Sequence, residues 1–244
     1  MADGHGRILG ATGRLRAASP ACCPRSRWTV PSSARPTATD VQSAHTTLLI
    51  LGAGGHGRVV ADAALAQGTW ERVCASDRDP DRCHGELLPG VPLQAPDAPG
   101  PAAVHIAIGA ATGREREARA ASLPLATVVH PHASVSPLAR VGAGSFVAAQ
   151  AVLAPLAQLG SCVIVNHGAV IDHDCVVGDF SHVAPLAALG GQARVGARVL
   201  VGAGAHLLPG VRVCDDVVIG AGAVVRSDID VPGVYAGVPA RRVR

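Results

Sequence analysis

Residues 171–195 read IDHDCVVGDFSHVAPLAALGGQARV. An aliphatic residue stands at every sixth position of this stretch: Ile171, Val177, Val183, Leu189 and Val195. The same period extends in both directions, because all sixteen positions at six-residue steps from Val135 to Val225 are Val, Leu or Ile. The fourth residue after each is usually small, and glycine often follows directly. A period this strict predicts a parallel β-helix of hexapeptide repeats.

Each hexapeptide is expected to form one short strand and one turn. The aliphatic residue points into the prism, the small residue fits beside it, and glycine relieves the backbone where the chain bends. Three hexapeptides close one coil of 18 residues, so sixteen of them predict about five coils at a spacing of about 4.8 Å. An irregular β-sandwich would not keep an unbroken register.

The composition narrows the class of protein. Of 244 residues 48% are hydrophobic but only 2% aromatic, so the core must be built from Val, Ala, Leu and Ile, which suits a narrow, regular architecture. Residues 47–244 hold 15 Arg against 16 acidic residues, a balance that argues against nucleic-acid binding. Seven scattered cysteines without a CxxC pair predict reduced thiols in a cytoplasmic protein.

Residues 1–46 differ from the remainder. They contain six Arg, two Asp and many Ala, Ser and Pro residues, and we predict a disordered extension in preference to a targeting signal. No apolar run in the chain reaches the length of a membrane span, so membrane insertion is not expected.

A different pattern precedes the repeats, over residues 47–127. The stretch from Thr46 to Ile50 reads as a strand, residues 52–57 as a glycine turn and residues 58–67 as a helix. A second strand is expected to end at Asp77, a third to cover residues 104–108, and a charged helix to begin near Thr112. Residues 78–101 are rich in Pro, Gly and Asp and read as loop. The order predicts a small Rossmann-like βαβ domain.

The glycine turn is a candidate substrate-binding loop. Glycines let a phosphate approach backbone N–H groups at a helix N-terminus, and the candidates are Gly52, Gly54, Gly55 and Gly57. Asp77, 25 residues after Gly52, is placed to accept hydrogen bonds from a ribose or a base. The alternative is a tight turn that packs helix on strand and binds nothing. His56 fits either a turn-stabilising hydrogen bond or a ligand contact.

Five segments together carry a family resemblance: GAGGHGRVV (52–60), VVHPHASVS (128–136), IDHDCVVGDFSHVAP (171–185), LGGQARVG (189–196) and VYAGVPARRVR (234–244). In this order they resemble the sialic acid O-acetyltransferase family of two-domain hexapeptide-repeat acetyltransferases, which includes UDP-4-amino-sugar N-acetyltransferases. The resemblance covers residues 47–244. It implies an acceptor-binding domain over 47–127, a left-handed β-helix over 128–230 and a C-terminal tail over 231–244. It also implies a homotrimer with active sites between neighbouring prisms, acetyl-CoA as donor, a sugar or nucleotide-sugar acceptor, and no metal.

The resemblance assigns catalytic roles to the opening segment. His173 is expected to be the general base, Asp174 the acid that orients it, and His182 a residue at the thioester end of the acetyl-CoA site. Asp174 stands where the family often has the longer Glu, so Asp172 is the alternative orienting acid. An imidazole that titrates near neutral pH suits removal of a proton from an attacking amine or hydroxyl.

The remaining site residues also follow from the resemblance. Asn166 matches a position near the acceptor, and Gly191 and Ala203 fall where the pantetheine arm of the donor runs along the backbone. Leu186 departs from a frequent glycine in this wall. The C-terminal Arg241 and Arg242 either meet CoA phosphates or form a solvated tail.

Two questions stay open: which group accepts the acetyl group, and whether the protein is an acetyltransferase or belongs to another class. The acceptor group is an amine on a nucleotide-linked sugar or a hydroxyl on a sugar such as sialic acid. A β-helix hydratase of the carbonic anhydrase type, which uses histidine-bound metal, is a second class, although the spacing of His167, His173 and His182 fits it poorly. A non-catalytic β-helix scaffold is the third.

Overall fold

The computed structural model describes residues 47–244, and the predicted extension over 1–46 lies outside the described residues. The N-terminal part has a three-stranded parallel sheet, in which Thr47–Leu51 pairs with Arg72–Ser76 on one side and with Pro101–Ile106 on the other. Its elements are β1 Thr47–Leu51, α1 Gly55–Gln67, β2 Arg72–Ser76, β3 Glu86–Leu88, β4 Val91–Pro92, β5 Pro101–Ile106 and α2 Ala111–Ala120.

The predicted strands and helices of this part are present, with one addition. Helix α1 begins at Gly55, so two of the candidate glycines lie in its first turn. The stretch predicted as loop over 78–101 contains the hairpin β3–β4, which was missed. Leu87 and Val91 of this hairpin are buried, while Gly90 between the strands has a φ of 82°. Because Pro and Gly are typical of turns, the segment read as loop, although two core side chains stabilise a short hairpin in it.

The C-terminal part is the predicted prism. Strands three apart in sequence pair in parallel with an offset of 18 residues, as in Val152 with Val170, so each coil has 18 residues. The strands are β6 Val128–Val129, β7 Ser134–Val135, β8 Arg140–Val141, β9 Phe146–Val147, β10 Val152–Leu153, β11 Gln158–Leu159, β12 Ile164–Val165, β13 Val170–Ile171, β14 Val176–Val177, β15 His182–Val183, β16 Ala188–Leu189, β17 Arg194–Val195, β18 Leu200–Val201, β19 His206–Leu207, β20 Arg212–Val213, β21 Val217–Ile219, β22 Val224–Val225, β23 Gly233–Ala236 and β24 Arg241–Arg242.

These strands form three sheets, which are the faces of the prism. The first face contains β7, β10, β13, β16, β19 and β22, and the second contains β8, β11, β14, β17 and β20. The third face contains β6, β9, β12, β15, β18 and β21, and it continues through β23 and β24. Part of the segment predicted as a C-terminal tail therefore extends a sheet.

The hexapeptide register correctly predicts the core. The fourteen inward positions from Val147 to Val225 are all buried, whereas Val135 and Val141 at the open end of the prism are half-buried. Deletion of such a side chain in a close-packed core would cost about 2–5 kcal/mol.

The predicted reason for the recurrent glycines was wrong. The chain bends at the residue three positions after most inward residues, where non-glycine residues such as Gln150 and Asp174 have φ between 53° and 64°. Gly142, directly after an inward valine, does not have a positive φ. A Cβ added at Gly142 would overlap the carbonyl group of Gly160 in the next coil. These glycines permit close approach between coils.

The two parts share one core. Phe146 and Ile164 on the third face are buried in the same cluster as Leu48 of β1 and Val60 of α1. The N-terminal sheet and α1 therefore pack directly on the third face, which holds the glycine turn beside the prism.

Candidate active site

His173 lies at the corner between the first and second faces, after β13 and before β14. Its Nδ1 is 2.9 Å from Oδ2 of Asp174, and its backbone N–H donates to Oδ1 of Asp172 at 2.7 Å. The two flanking acids thus contact different parts of the histidine. With the Nδ1 proton on the side of Asp174, Nε2 carries the free lone pair.

The surroundings of His173 favour its protonated form. The hydrogen bond that His173 donates to Asp174, and then the charge of Asp172, raise the pKa of His173 above its ordinary value, against a smaller lowering by burial. The ring is exposed on the solvent side, so a reacting molecule has access to it. These contacts are compatible with the predicted role of His173 as a general base assisted by a carboxylate.

Gly191 lies one coil beyond His173 and supports its ring. A Cβ added at Gly191 would fall on Nε2 and Cε1 of the imidazole, so the ring lies against the glycine backbone. The N–H of Gly191 has no hydrogen-bond partner in the described part of the chain. The predicted donor-site glycine therefore lies beside the predicted base.

His182 lies on strand β15 of the third face. Its Nε2 is 3.2 Å from Nδ2 of Asn166, while Oδ1 of Asn166 accepts from the backbone N–H of His167. Burial, and then the charge of Arg114, lower the pKa of His182 to about 4. His182 is therefore neutral at pH 7, with Nε2 as the acceptor of the Asn166 amide.

The structure does not bring His173 and His182 together within one chain. The corner that carries His173 is opposite the third face, which carries His182. Nine residues are half of an 18-residue coil, so the two side chains lie on opposite sides of the prism. Asn166 and the exposed Ala203 lie on the side of His182, whereas Asp174 and Gly191 lie with His173.

The four glycines of the turn divide into two pairs. A Cβ at Gly57 would overlap the carbonyl of Gly52, and a Cβ at Gly52, where φ is 122°, would lie 2.7 Å from the carbonyl oxygen of Ala107. These two serve close packing of helix on sheet. At Gly54 and Gly55 an added Cβ meets no atom within 4 Å. Only this second pair faces open space, at the N-terminus of α1.

Asp77 holds the glycine turn. Its Oδ2 accepts from the backbone N–H of Ala53 at 2.8 Å, and its Oδ1 accepts from that of Asp79 at 3.1 Å. Burial raises the pKa of Asp77, but these backbone hydrogen bonds and Arg82 outweigh it, so the net pKa is lowered. The carboxylate is ionised and already joins the turn to the loop after β2.

His56 connects the glycine turn to the prism. Its ring packs edge-on against Phe146 of the third face, with 5.6 Å between centroids, and its buried Nε2 has no hydrogen-bond partner. Burial, and then the charges of His105 and His182, lower the pKa of His56 to about 3. A neutral imidazole with one unsatisfied nitrogen therefore lies between the turn and the third face.

Within residues 47–244 no group of three or more His, Cys, Asp or Glu side chains is arranged to hold a metal ion. No helix in the same range is long and apolar enough to cross a membrane. Arg241 and Arg242 are exposed on β24.

Two family models match the chain. Residues 47–120 match the PglD N-terminal domain, and residues 192–227 match the bacterial transferase hexapeptide with six repeats. The first match covers the sheet and both helices of the N-terminal part, and the second covers two coils of the prism.

Solved structures match both parts together. The acetyltransferase domain of PglB from Neisseria gonorrhoeae is 36% identical with a TM-score of 0.75, over 81% of this chain and 99% of that chain. The same domain in complex with acetyl coenzyme A gives 34% identity and a TM-score of 0.76, over 82% and 100%. PerB from Caulobacter crescentus, in complex with CoA and GDP-perosamine, gives 36% identity and a TM-score of 0.74, over 82% and 98%.

The chain belongs to the family of two-domain hexapeptide-repeat acetyltransferases. As a member of this family it has the predicted left-handed β-helix, with a small α/β domain in front. Membership also argues against the hydratase and the scaffold, because the PglB domain and the Caulobacter crescentus protein, which match both parts, are described as acetyltransferases.

Two buried residues beside the candidate site were not predicted from the sequence. Phe146 is fully buried between His56 and His105, with which it makes edge-on ring contacts. The rarity of aromatic residues in the chain was the available signal. Arg114, in the charged helix α2, is 1% exposed although its neighbours Arg116 and Arg119 are exposed. Nothing in the segment GREREARAA distinguishes the buried arginine from the exposed ones.

Proposed function

We propose that this cytoplasmic protein is an acetyl-CoA-dependent N-acetyltransferase that modifies the amino group of a nucleotide-linked amino sugar. The observation that carries the proposal is the contact between Nδ1 of His173 and Asp174, which leaves Nε2 free as a base. The complex of PerB with CoA and GDP-perosamine supports the choice of acceptor, because that relative is 36% identical and its ligand is a nucleotide-linked amino sugar.

The proposed reaction is direct transfer between two bound substrates. The amine nitrogen attacks the thioester carbon of acetyl-CoA, and Nε2 of His173 accepts the amine proton as the N–C bond forms. Asp174 stabilises the imidazolium. The C–S bond then breaks, and the CoA thiolate takes the proton from the imidazolium.

The proposed donor site contains residues of both groups. His182 and Ala203 would contact the donor on one prism, and Gly191 would contact it beside the base of another. The N–H of Gly191 is available to the carbonyl oxygen of the thioester, since it donates no hydrogen bond in the described structure. A donor at this position stabilises the charge that develops on that oxygen.

The proposed acceptor site lies at the glycine turn. Gly54 and Gly55 leave open space at the N-terminus of α1, where backbone N–H groups and the helix dipole favour a phosphate. Gly52 and Gly57 shape the turn, Asp77 fixes it, and Asn166 faces the same side of the prism. We accordingly propose residues 47–127 as the acceptor domain, 128–230 as the acyltransferase domain and 231–244 as the C-terminal segment.

The separation of His173 from His182 supports a proposed homotrimer. A site that needs both residues is incomplete in one chain and requires the third face of one prism to approach the corner of a neighbour. A closed ring of three chains would form three identical sites of this kind.

Release of free CoA thiol tests the proposed function. The purified protein is given acetyl-CoA with UDP-, GDP- and dTDP-linked amino sugars, their hydroxyl counterparts, and free sialic acids. We expect turnover with at least one nucleotide-linked amino sugar and none with its hydroxyl counterpart. Turnover only with free sialic acids or with a hydroxyl acceptor would contradict the proposal. His173→Ala is the control for spontaneous aminolysis.

A further inference from the structure

Arg114 of helix α2 is a buried arginine whose five N–H donors are all used. Its side chain reaches from the N-terminal part into the prism and is only 1% exposed. The acceptors are five backbone carbonyl oxygens. Nε donates to Cys162 at 2.8 Å, and Nη1 donates to Ile108 at 2.7 Å and to Gly109 at 2.8 Å. Nη2 donates to Ser181 at 3.3 Å and also to Phe180. A guanidinium has five N–H bonds, so none is left unsatisfied.

The five carbonyls belong to the two halves of the proposed site. Ile108 and Gly109 follow β5, next to Ala107, whose carbonyl oxygen lies directly against Gly52 of the glycine turn. Cys162 and Phe180 occupy the same corner of successive coils. Ser181 directly precedes His182. The guanidinium of Arg114 therefore donates hydrogen bonds both to the segment that lies against the glycine turn and to the residue directly before His182.

The charge of Arg114 has no carboxylate partner among the described ion pairs. Glu117 on the same helix pairs instead with Arg78 and Arg116. Burial lowers the pKa of Arg114 to about 10, so the side chain stays protonated at neutral pH. Well-packed apolar residues often replace buried ionic groups without loss of stability. Five directed bonds from a rigid plane provide something that apolar packing does not, namely a fixed distance and orientation.

We propose that Arg114 is a positioning residue that sets the glycine turn at the correct distance from His182. This inference rests on the proposed function, since it assumes that the acceptor binds at the turn and the donor at His182. We call the five hydrogen bonds of Arg114 the clamp. Its loss leaves the glycine turn and the surroundings of His182 intact but moves one relative to the other. A displacement of about 1 Å between bound reactants lowers a rate about 100-fold.

Arg114→Lys and Arg114→Gln test the proposal, with Arg119→Lys as the matched control on the exposed face of the same helix. Lysine keeps the charge but has three donors and no plane. We expect kcat to fall about 10- to 100-fold in both Arg114 variants, with the KM for acetyl-CoA and for the acceptor within about threefold of wild type. A purely structural role would lower the melting temperature but leave kcat unchanged well below it. A folded Arg114→Lys enzyme with kcat within twofold of wild type overturns the proposal.

Hydrogen exchange tests the clamp without any turnover. In Arg114→Lys, backbone amides of residues 107–113 and 180–183 should both exchange faster than in wild type, while those of β1 and β17 should not change. Acceleration in only one of the two segments overturns the clamp. If the wild-type protein transfers no acetyl group to any acceptor, the proposed function fails, and this measurement still decides on the clamp.

A measurement on the unaltered protein covers variants that fail to fold. The Nε–H of Arg114, resolved by nitrogen-15 NMR, should exchange with solvent far more slowly than those of Arg116 and Arg119. Exchange at the same rate as in the two exposed arginines overturns the proposal.

Discussion

The carboxylate of Asp174 lies 2.9 Å from Nδ1 of His173, whereas the carboxylate of Asp172 bonds the backbone N–H of the same histidine. Asp174 has a φ of 59°, a conformation that recurs at most corners of the prism and that aspartate tolerates. The shorter acid reaches the ring from this corner. The structure therefore favours Asp174 over Asp172 as the residue that orients His173, the proposed base.

Asp174→Asn should lower kcat about 10- to 100-fold and shift its pH dependence. Asp174 raises the pKa of His173, and a base acts in its neutral form. The rise of kcat with pH should therefore move to lower pH when Asp174 is replaced, and the plateau should be lower. Ionisation of the acceptor amine is common to both enzymes and cancels in the comparison.

Asp172→Asn is the matched control for that experiment. The Oδ1 of asparagine still accepts the backbone N–H of His173, so only the charge is lost. We expect kcat within about threefold of wild type and a smaller shift of the pH profile. An equal or larger effect on kcat in Asp172→Asn would show that Asp172, and not Asp174, orients His173.

The two pairs of glycines should respond differently to substitution. Gly54→Val adds a side chain to open space, so the melting temperature should change little while the KM for the acceptor rises about tenfold or more. Gly57→Ala forces a Cβ against the carbonyl of Gly52 and should destabilise the fold by about 1–3 kcal/mol. Thermal unfolding and steady-state kinetics separate the two effects. An unchanged acceptor KM in Gly54→Val would remove the glycine turn from the acceptor site.

Gly191→Ala should act through His173. The added methyl group occupies the place of Nε2 and Cε1, so the ring must turn away from Asp174. We expect kcat to fall about 10- to 100-fold with little change in melting temperature, because the ring can turn towards solvent. In a double-mutant cycle Gly191→Ala should lower kcat much less when His173 is already replaced by alanine than it does in the wild type. Independent, additive losses would mean that Gly191 serves the donor alone.

The repeats made the prism predictable in detail. A single period fixed the inward residues, the 18-residue coil and the stacking of strands, because each hexapeptide repeats one local conformation. The hairpin with Leu87 and Val91 was not predictable in this way, since its turn residues resemble those of an open loop. The role of Gly142 was misjudged because a glycine at a bend and a glycine at a close approach look alike in a sequence.

The candidate site residues stay predictions, and what the structure adds is the contacts between them. His173, Asp174, His182 and Asn166 were identified through the family resemblance, and the structure pairs Asp174 with His173 and Asn166 with His182. The spacing of nine residues already places the two histidines half a coil apart. Arg114 could not be found, because its burial depends on contacts between the two parts of the chain.

Mixing two impaired variants tests most directly whether His173 and His182 form one catalytic site between neighbouring chains. His173→Ala should lower kcat about 100- to 10,000-fold, since it removes the base, and His182→Ala should impair use of acetyl-CoA. When equal amounts of the two variants are unfolded together and reassembled, about one quarter of the sites should combine an intact His173 from one chain with an intact His182 from another. The account predicts that about one quarter of wild-type activity returns in the mixture, while each variant treated alone keeps only its own residual activity. A mixture that stays as inactive as its components, although it assembles normally, would contradict it.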